Sequence, residues 1–308
     1  MSVASLWRLA VCALVVGLAL MSAAGAQVVV VASTPDLKSI ADAVSGGTIR
    51  VECLVPPGTD AEAFEPKPSH LALISKATLV LRVGLGYDDW LDRLVSQSGD
   101  PALRAGGSAN LDLSKSMALL EVQGRSVELQ QGHAHGSANP HFWLDPANGE
   151  IMSAVIAEAI ARVIPEKREI ITAAQARFAS ELRKRLEQWS YALSPFQGIA
   201  VVSYHNSWPY FARRFRLNIV DVVEPKESVT PSPMRLVALA AKMRAAKVRV
   251  LIQEPFAPAD AADYLASRSG ASVVTLAPSV GALKGTGDYL SLFDRNVSRL
   301  VDALSKRQ

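Results

Sequence analysis

Pro165-Glu-Lys-Arg-Glu-Ile-Ile-Thr-Ala-Ala-Gln-Ala-Arg-Phe-Ala-Ser-Glu-Leu-Arg-Lys-Arg-Leu-Glu-Gln-Trp-Ser-Tyr-Ala-Leu193 is the stretch on which the fold turns. Ile171, Ala174, Phe178, Leu182, Leu186 and Trp189 recur at steps of three or four, with charges filling the gaps. That is the pattern of one long amphipathic helix. About 28 residues at 1.5 Å each would reach ~42 Å, enough to run the length of a two-domain molecule as a stiff connector. An ordinary surface helix of the second domain is the plainer alternative.

On either side the chain repeats one theme. The β-branched run Val28 to Ala32 suits a strand buried on both faces, and Thr34-Pro35-Asp36 opens a helical pattern through Leu37, Ile40, Ala41 and Val44. Strand-like segments follow at Arg50 to Leu54 and Thr78 to Val83, separated by a loop from Pro56 to Pro68 and a helix starting near Ser69. After residue 196 strands are expected at Ile199 to Ser203, Ile219 to Val223, Val248 to Gln253 and Ser272 to Leu276. Helices are expected between them at Trp208 to Phe215, Pro233 to Ala246 and Pro258 to Ser269. Such alternation predicts an α/β fold of two lobes, each a mainly parallel sheet flanked by helices and joined by one long connecting helix. The boundaries read as 27–164, 165–194 and 195–308.

The 308 residues are long enough for two cores of ordinary size. A net charge of +3, from 32 basic and 29 acidic residues with no long basic run, gives nucleic-acid binding no support. Residues 1–26 have the make-up of a secretory signal peptide: Arg8, an apolar stretch from Leu9 to Leu20, then Ala24-Gly25-Ala26. That apolar stretch is shorter than the ~20 residues a membrane span needs. The expectation is an exported, soluble, periplasmic protein. Cys12 lies within the apolar stretch, not at the cleavage point a lipid anchor would use, and cleavage would leave Cys53 with no disulfide partner.

The five histidines are His70, His133, His135, His141 and His205. Imidazole is a common zinc ligand, and His133 and His135 sit in a short flexible Gly-rich segment that is either a weak metal loop or simply a solvated one. His141 lies in Asn139-Pro-His-Phe-Trp-Leu-Asp-Pro146, where Asp145 and Pro146 form an N-cap and first-turn pair for a following helix. His205 follows a strand, at the carboxyl end where open α/β sheets bind ligands. Alone, each would more often be a hydrogen-bonded structural residue. Their places in different halves let an interlobe cleft bring them together. Glu62, Glu254 and Asp288 are the carboxylate candidates.

Four segments then carry a resemblance over essentially the whole chain after the leader. They are the Pro57-Gly-Thr-Asp…Phe64-Glu-Pro-Lys-Pro-Ser69 loop, Asn139 to Pro146, the strand end Ser203-Tyr204-His205, and Gly287-Asp288-Tyr289. In this order they are similar to the zinc and manganese solute-binding proteins of ABC importers, the ZnuA-like and TroA-like family. The resemblance implies two α/β lobes on a rigid helix, with one metal held between them. His141 and His205 would be imidazole ligands, Asp288 a carboxylate ligand, and His133/His135 a reduced histidine-rich loop. Where the family's first loop usually has a histidine two residues before an aromatic, this chain has Glu62 before Phe64. His70 falls in a slot the family usually fills with Asp and reads as a surface residue. The expected metal set is therefore Glu62, His141, His205 and Asp288.

Zn2+ accepts that mixture, as do Mn2+ and Fe2+. The resemblance favours zinc, because a histidine follows the Ser203-Tyr204 strand end. It also implies an ABC-type membrane permease as partner and a monomeric, non-enzymatic binding protein. A secreted metallohydrolase would use similar ligands, with Glu254 as its base, but no His-Glu-x-x-His spacing occurs. A surface adhesin is a third class that no residue tests.

Overall fold

The computed structural model describes residues 28–121, 138–224 and 229–306. Residues 1–26, expected to be a signal peptide, and the His133/His135 segment lie outside the described residues. Strand β1 (Val29–Ala32) enters helix α1 (Pro35–Ser45), whose first turn is set by Pro35 and capped by the Thr34 hydroxyl. Gly46, at φ 61°, ends it in the left-handed conformation that glycine adopts without strain. Strand β2 (Arg50–Cys53), helix α2 (Pro68–Ile74), strand β3 (Leu79–Arg82), helix α3 (Trp90–Ser98) and strand β4 (Asn110–Asp112) complete the first sheet. Its order is β2-β1-β3-β4, every pair is parallel, and Val31 sits opposite Val80.

Helix α4 (Pro146–Val163) and a 3-10 turn at Pro165–Lys167 lead into helix α5 (Arg168–Leu193), 26 residues and about 39 Å long. Ile171, Ala174, Phe178, Leu182 and Trp189 are buried along one stripe, as the spacing predicts, with Leu186 half-buried. The charged face stays in water. The second lobe runs β5 (Ala200–Ser203), α6 (Pro209–Phe215), β6 (Asn218–Val222), α7 (Pro233–Ala245), β7 (Val250–Gln253), α8 (Ala259–Ser269), β8 (Ser272–Thr275) and α9 (Tyr289–Ser305). Its sheet, β6-β5-β7-β8, repeats the order of the first and is again parallel throughout.

The lobes share apolar packing. One buried cluster runs from Val31, Leu81 and Ile156 of the first lobe through Phe178 of α5 to Trp208, Phe211 and Phe293 of the second, and a smaller one fills the far face of the second sheet. Polar bonds fasten the same boundary. Trp143 Nε1 donates to Pro278 O at 2.9 Å, Tyr289 Oη donates to Trp143 O at 2.7 Å, and Arg214 grips the fully buried Asp145 with two bonds of 2.6 and 3.0 Å. In each sheet the connections reverse direction between the first strand of the lobe and its third, β1 and β3 or β5 and β7. The crevice at the strand carboxyl ends there is where α/β sheets bind ligands. No helix among the described residues is long and apolar enough to cross a membrane.

Candidate metal centre

His141 reaches the crevice because the chain around it has no freedom. It precedes a 3-10 turn, Phe142–Leu144, and then Asp145, whose carboxylate caps α4 by accepting from Ala147 N at 3.0 Å. Its ring packs edge-on against Tyr87 and beside Trp143. The first loop is pinned as well: Trp90 Nε1 donates to Ala61 O at 3.0 Å, Phe64 packs on the Trp90 ring, and Glu62 N donates to Asp60 Oδ1 at 3.0 Å. These contacts bring Glu62 Oε1 to 3.0 Å from His141 Nε2.

The protonation of that pair follows from its surroundings. Burial pushes the His141 pKa down to about 4, against the weaker opposing pull of Asp60 and Glu121, so the ring is neutral at pH 7. Asn139 Oδ1 accepts from His141 N at 3.0 Å and lies 3.2 Å from Nδ1. Oxygens face both ring nitrogens; a metal bound at Nε2 leaves the ring proton on Nδ1, where Asn139 Oδ1 accepts it. In that state Nε2 and the Glu62 carboxylate both turn lone pairs toward the cation between them. Two ligands on one tetrahedral zinc, each at ~2.0–2.2 Å, lie about 3.3 Å apart, close to the spacing found.

His205 follows β5, and Glu224 and Glu254 follow β6 and β7. Its Nδ1 is paired with the Glu224 carboxylate, and its Nε2 is 3.9 Å from Glu254 Oε2. Glu254 is fully buried. Its Oε1 accepts from Trp208 Nε1 at 2.7 Å, whereas its Oε2 has no hydrogen-bond partner. Burial raises the Glu254 carboxyl to about 7, with the Trp208 bond opposing. A carboxylate behind a ring nitrogen fixes the tautomer and raises the basicity of the other nitrogen, the usual support of a metal-bound histidine.

Thr59, Asp60, Ala61, Glu62, Tyr87 and His141 from the first lobe and His205, Asn206, Ser207, Phe256, Pro278 and Ser279 from the second enclose one pocket of about 40 Å³. That volume has room for an ion or a few waters. Among the described residues no three His, Cys, Asp or Glu side chains gather tightly enough to hold a metal as they stand. The residues form two facing pairs.

Of the expected set, Glu62, His141 and His205 line this pocket and Asp288 does not. Asp288 is exposed and caps α9, its Oδ1 accepting from Leu290 N and Ser291 N at 2.9 Å each, while Ser291 Oγ accepts from Asp288 N. The Asp-Tyr segment is thus a capping box. His70 is likewise a cap: its Nδ1 accepts from Lys67 N at 2.8 Å, and its ring lies against Phe64. Glu224 escaped the sequence reading, although its place just past a strand end is the signal that singled out His205. Asn139 was read only as part of a motif, and nothing local marks Ser279.

Residues 30–303 match the family described as zinc-uptake complex component A, periplasmic. This chain belongs to that family. The zinc-uptake component A of Paracoccus denitrificans, named a high-affinity zinc uptake system protein ZnuA, is 28% identical over 89% of this chain and 91% of its own length. A crystal structure of ZnuA superposes with a TM-score of 0.76 and 25% identity, covering 91% of this chain and all of that one. The Pseudomonas aeruginosa solute-binding protein FpvC, solved in complex with Mn2+, has the same fold with a TM-score of 0.76 and 23% identity, over 90% of this chain and 98% of its own. The zinc-uptake component A fold accordingly includes both sheets and the helix between them.

Proposed function

We propose that this chain is an exported binding protein that captures one divalent transition metal, zinc in the first place, between its lobes and delivers it to an ABC-type permease. The observation that carries this is the facing pair of the buried His141 Nε2 and the half-buried Glu62 Oε1, 3.0 Å apart in a pocket with room for an ion. Membership in a zinc-uptake family and the Paracoccus denitrificans relative support zinc. Mixed nitrogen and oxygen ligands also admit Mn2+ and Fe2+, so the preference is one of degree.

Glu62, His141 and His205 are the ligands in this reading. Glu254, whose Oε2 stands 3.9 Å from His205 Nε2, replaces Asp288 as the carboxylate of the second lobe. Four carboxylates around two imidazoles, those of Asp60, Glu62, Glu224 and Glu254, make the pocket attractive to a dication and hostile to anions. Cargo binding needs the two pairs to draw together around the ion, and release needs them to part.

Competition titrations of zinc and manganese on metal-free protein test this. Removing an essential ligand should cost 100-fold or more, roughly 3 kcal/mol or above. His141→Ala, His205→Ala, Glu62→Ala and Glu254→Gln should each do so, while Asp288→Ala keeps the parental zinc affinity. Equal losses from Asp288→Ala and His205→Ala would refute this ligand set. Parental affinity in His141→Ala would refute the site itself.

A further inference from the structure

We propose that Asn139 is the positioning residue that joins the two halves of the metal site, its amide oxygen accepting the Nδ1 proton that His141 carries when Nε2 binds the metal and its amide nitrogen fastening the segment that follows His205. The inference rests on the reading of His141 and His205 as ligands and assigns them a shared support. Asn139 is 2% exposed, yet its amide is fully engaged. Oδ1 meets His141 N at 3.0 Å and His141 Nδ1 at 3.2 Å. Nδ2 donates to Asn206 O at 2.9 Å and to Glu121 Oε2 at 3.1 Å. An amide has two acceptor and two donor positions, and all four are taken here.

That count fixes its orientation. Turning the amide over would set its hydrogens against His141 N–H and its oxygen against Asn206 O and the Glu121 carboxylate, three repulsive contacts in place of four bonds. The backbone is held too: Tyr210 Oη donates to Asn139 O at 2.8 Å, and Asn139 N donates to Leu120 O at 3.0 Å. Glu121 Oε2 also accepts from Asn206 Nδ2 at 2.9 Å, so one carboxylate oxygen holds both amides. Asn206 is the neighbour of His205 in sequence and lines the same pocket. The path His141–Asn139–Asn206–His205 thus crosses the lobe boundary through two hydrogen-bonded links and one peptide. Residues in this kind of supporting role typically affect metal affinity by about 10- to 100-fold.

The test uses Asn139→Ala, Asn139→Asp and Asn139→Asp/Glu121→Gln, with His141→Ala in parallel. In Asn139→Ala the zinc dissociation constant should rise about 10- to 100-fold. Asn139→Asp keeps the acceptor facing His141 but loses both donors. Zinc should dissociate faster from it, and Glu121→Gln, which supplies an amide donor opposite the new carboxylate, should restore part of the loss. Parental binding and dissociation constants in both single variants, or no recovery in Asn139→Asp/Glu121→Gln, would overturn the proposal. Should Asn139→Ala not fold, a parental zinc dissociation rate in the isosteric Asn139→Asp overturns it alone. If His141→Ala also binds zinc like the parent, the site assignment falls; if only the Asn139 variants do, this inference falls by itself.

Discussion

At the scale of single residues, burial decides how His141 responds to pH. Its folded-state pKa, lowered to about 4, lies below the ordinary 6.5, so in acid the unfolded chain takes up a proton first. The stability tied to a neutral His141 is complete above about pH 6.5 and is lost as pH falls toward 4, up to ~3 kcal/mol. Asp36, raised to about 6, and Glu254, raised to about 7, work in the opposite sense, because their folded forms hold the proton more readily. The difference between parent and His141→Gln isolates the histidine. Denaturant unfolding at pH 7 and pH 4.5 should show the parent losing more stability than the variant between the two, and equal losses would contradict a neutral buried ring. The sequence exposed His141 and His205 as residues at element boundaries. Of their partners it marked Glu62 and Glu254 as candidates without pairing them to either ring, and it missed Glu224, because both Glu224 and Glu254 approach His205 only once β6 and β7 lie on either side of β5. Asp288 shows the converse: an Asp before a helical pattern has the same local signal whether it binds a cargo or caps a helix.

Among the elements, most were legible because their periodicity and punctuation agree. Thr34-Pro35, Asp145-Pro146 and Ser232-Pro233 each put a capping side chain before a first-turn proline, and each begins a helix where that pattern says. Strand β4 was not legible, since three residues ending at Asp112 are too short to establish alternation and their pairing with β3 is a tertiary event. Helix packing across the lobe boundary was equally hidden. A Cβ added to Gly149 on α4 would lie 2.4 Å from Tyr289 Cε1, at the start of α9, whose hydroxyl is bonded to Trp143 O. Gly149→Ala should therefore push α4 and α9 apart and lower stability by about 1–3 kcal/mol, as overpacking does. The same change on an exposed helix position would favour the helix. Urea titration separates the two, and a stabilised Gly149→Ala would mean that the lobe boundary yields easily.

For the whole molecule, the long helix α5 and the apolar cluster that crosses the lobes make their coupling a matter of packing, with the ion adding to it. The metal-free protein should then unfold in a single calorimetric transition, because neither lobe can lose its structure without exposing the surface of the other. Two resolved transitions would show the lobes to be independent. Cargo should shift that transition upward by linkage, since the unfolded chain keeps no site in which Glu62 and His141 of one lobe meet His205 of the other. With free zinc a thousandfold above its dissociation constant the gain is ~4 kcal/mol. For a chain of this size that corresponds to a rise in Tm on the order of 10 °C, reversed by a chelator. His141→Ala should lose most of the zinc-dependent rise while keeping a single transition. A full-sized rise in that variant would place the stabilising ion somewhere other than between the lobes.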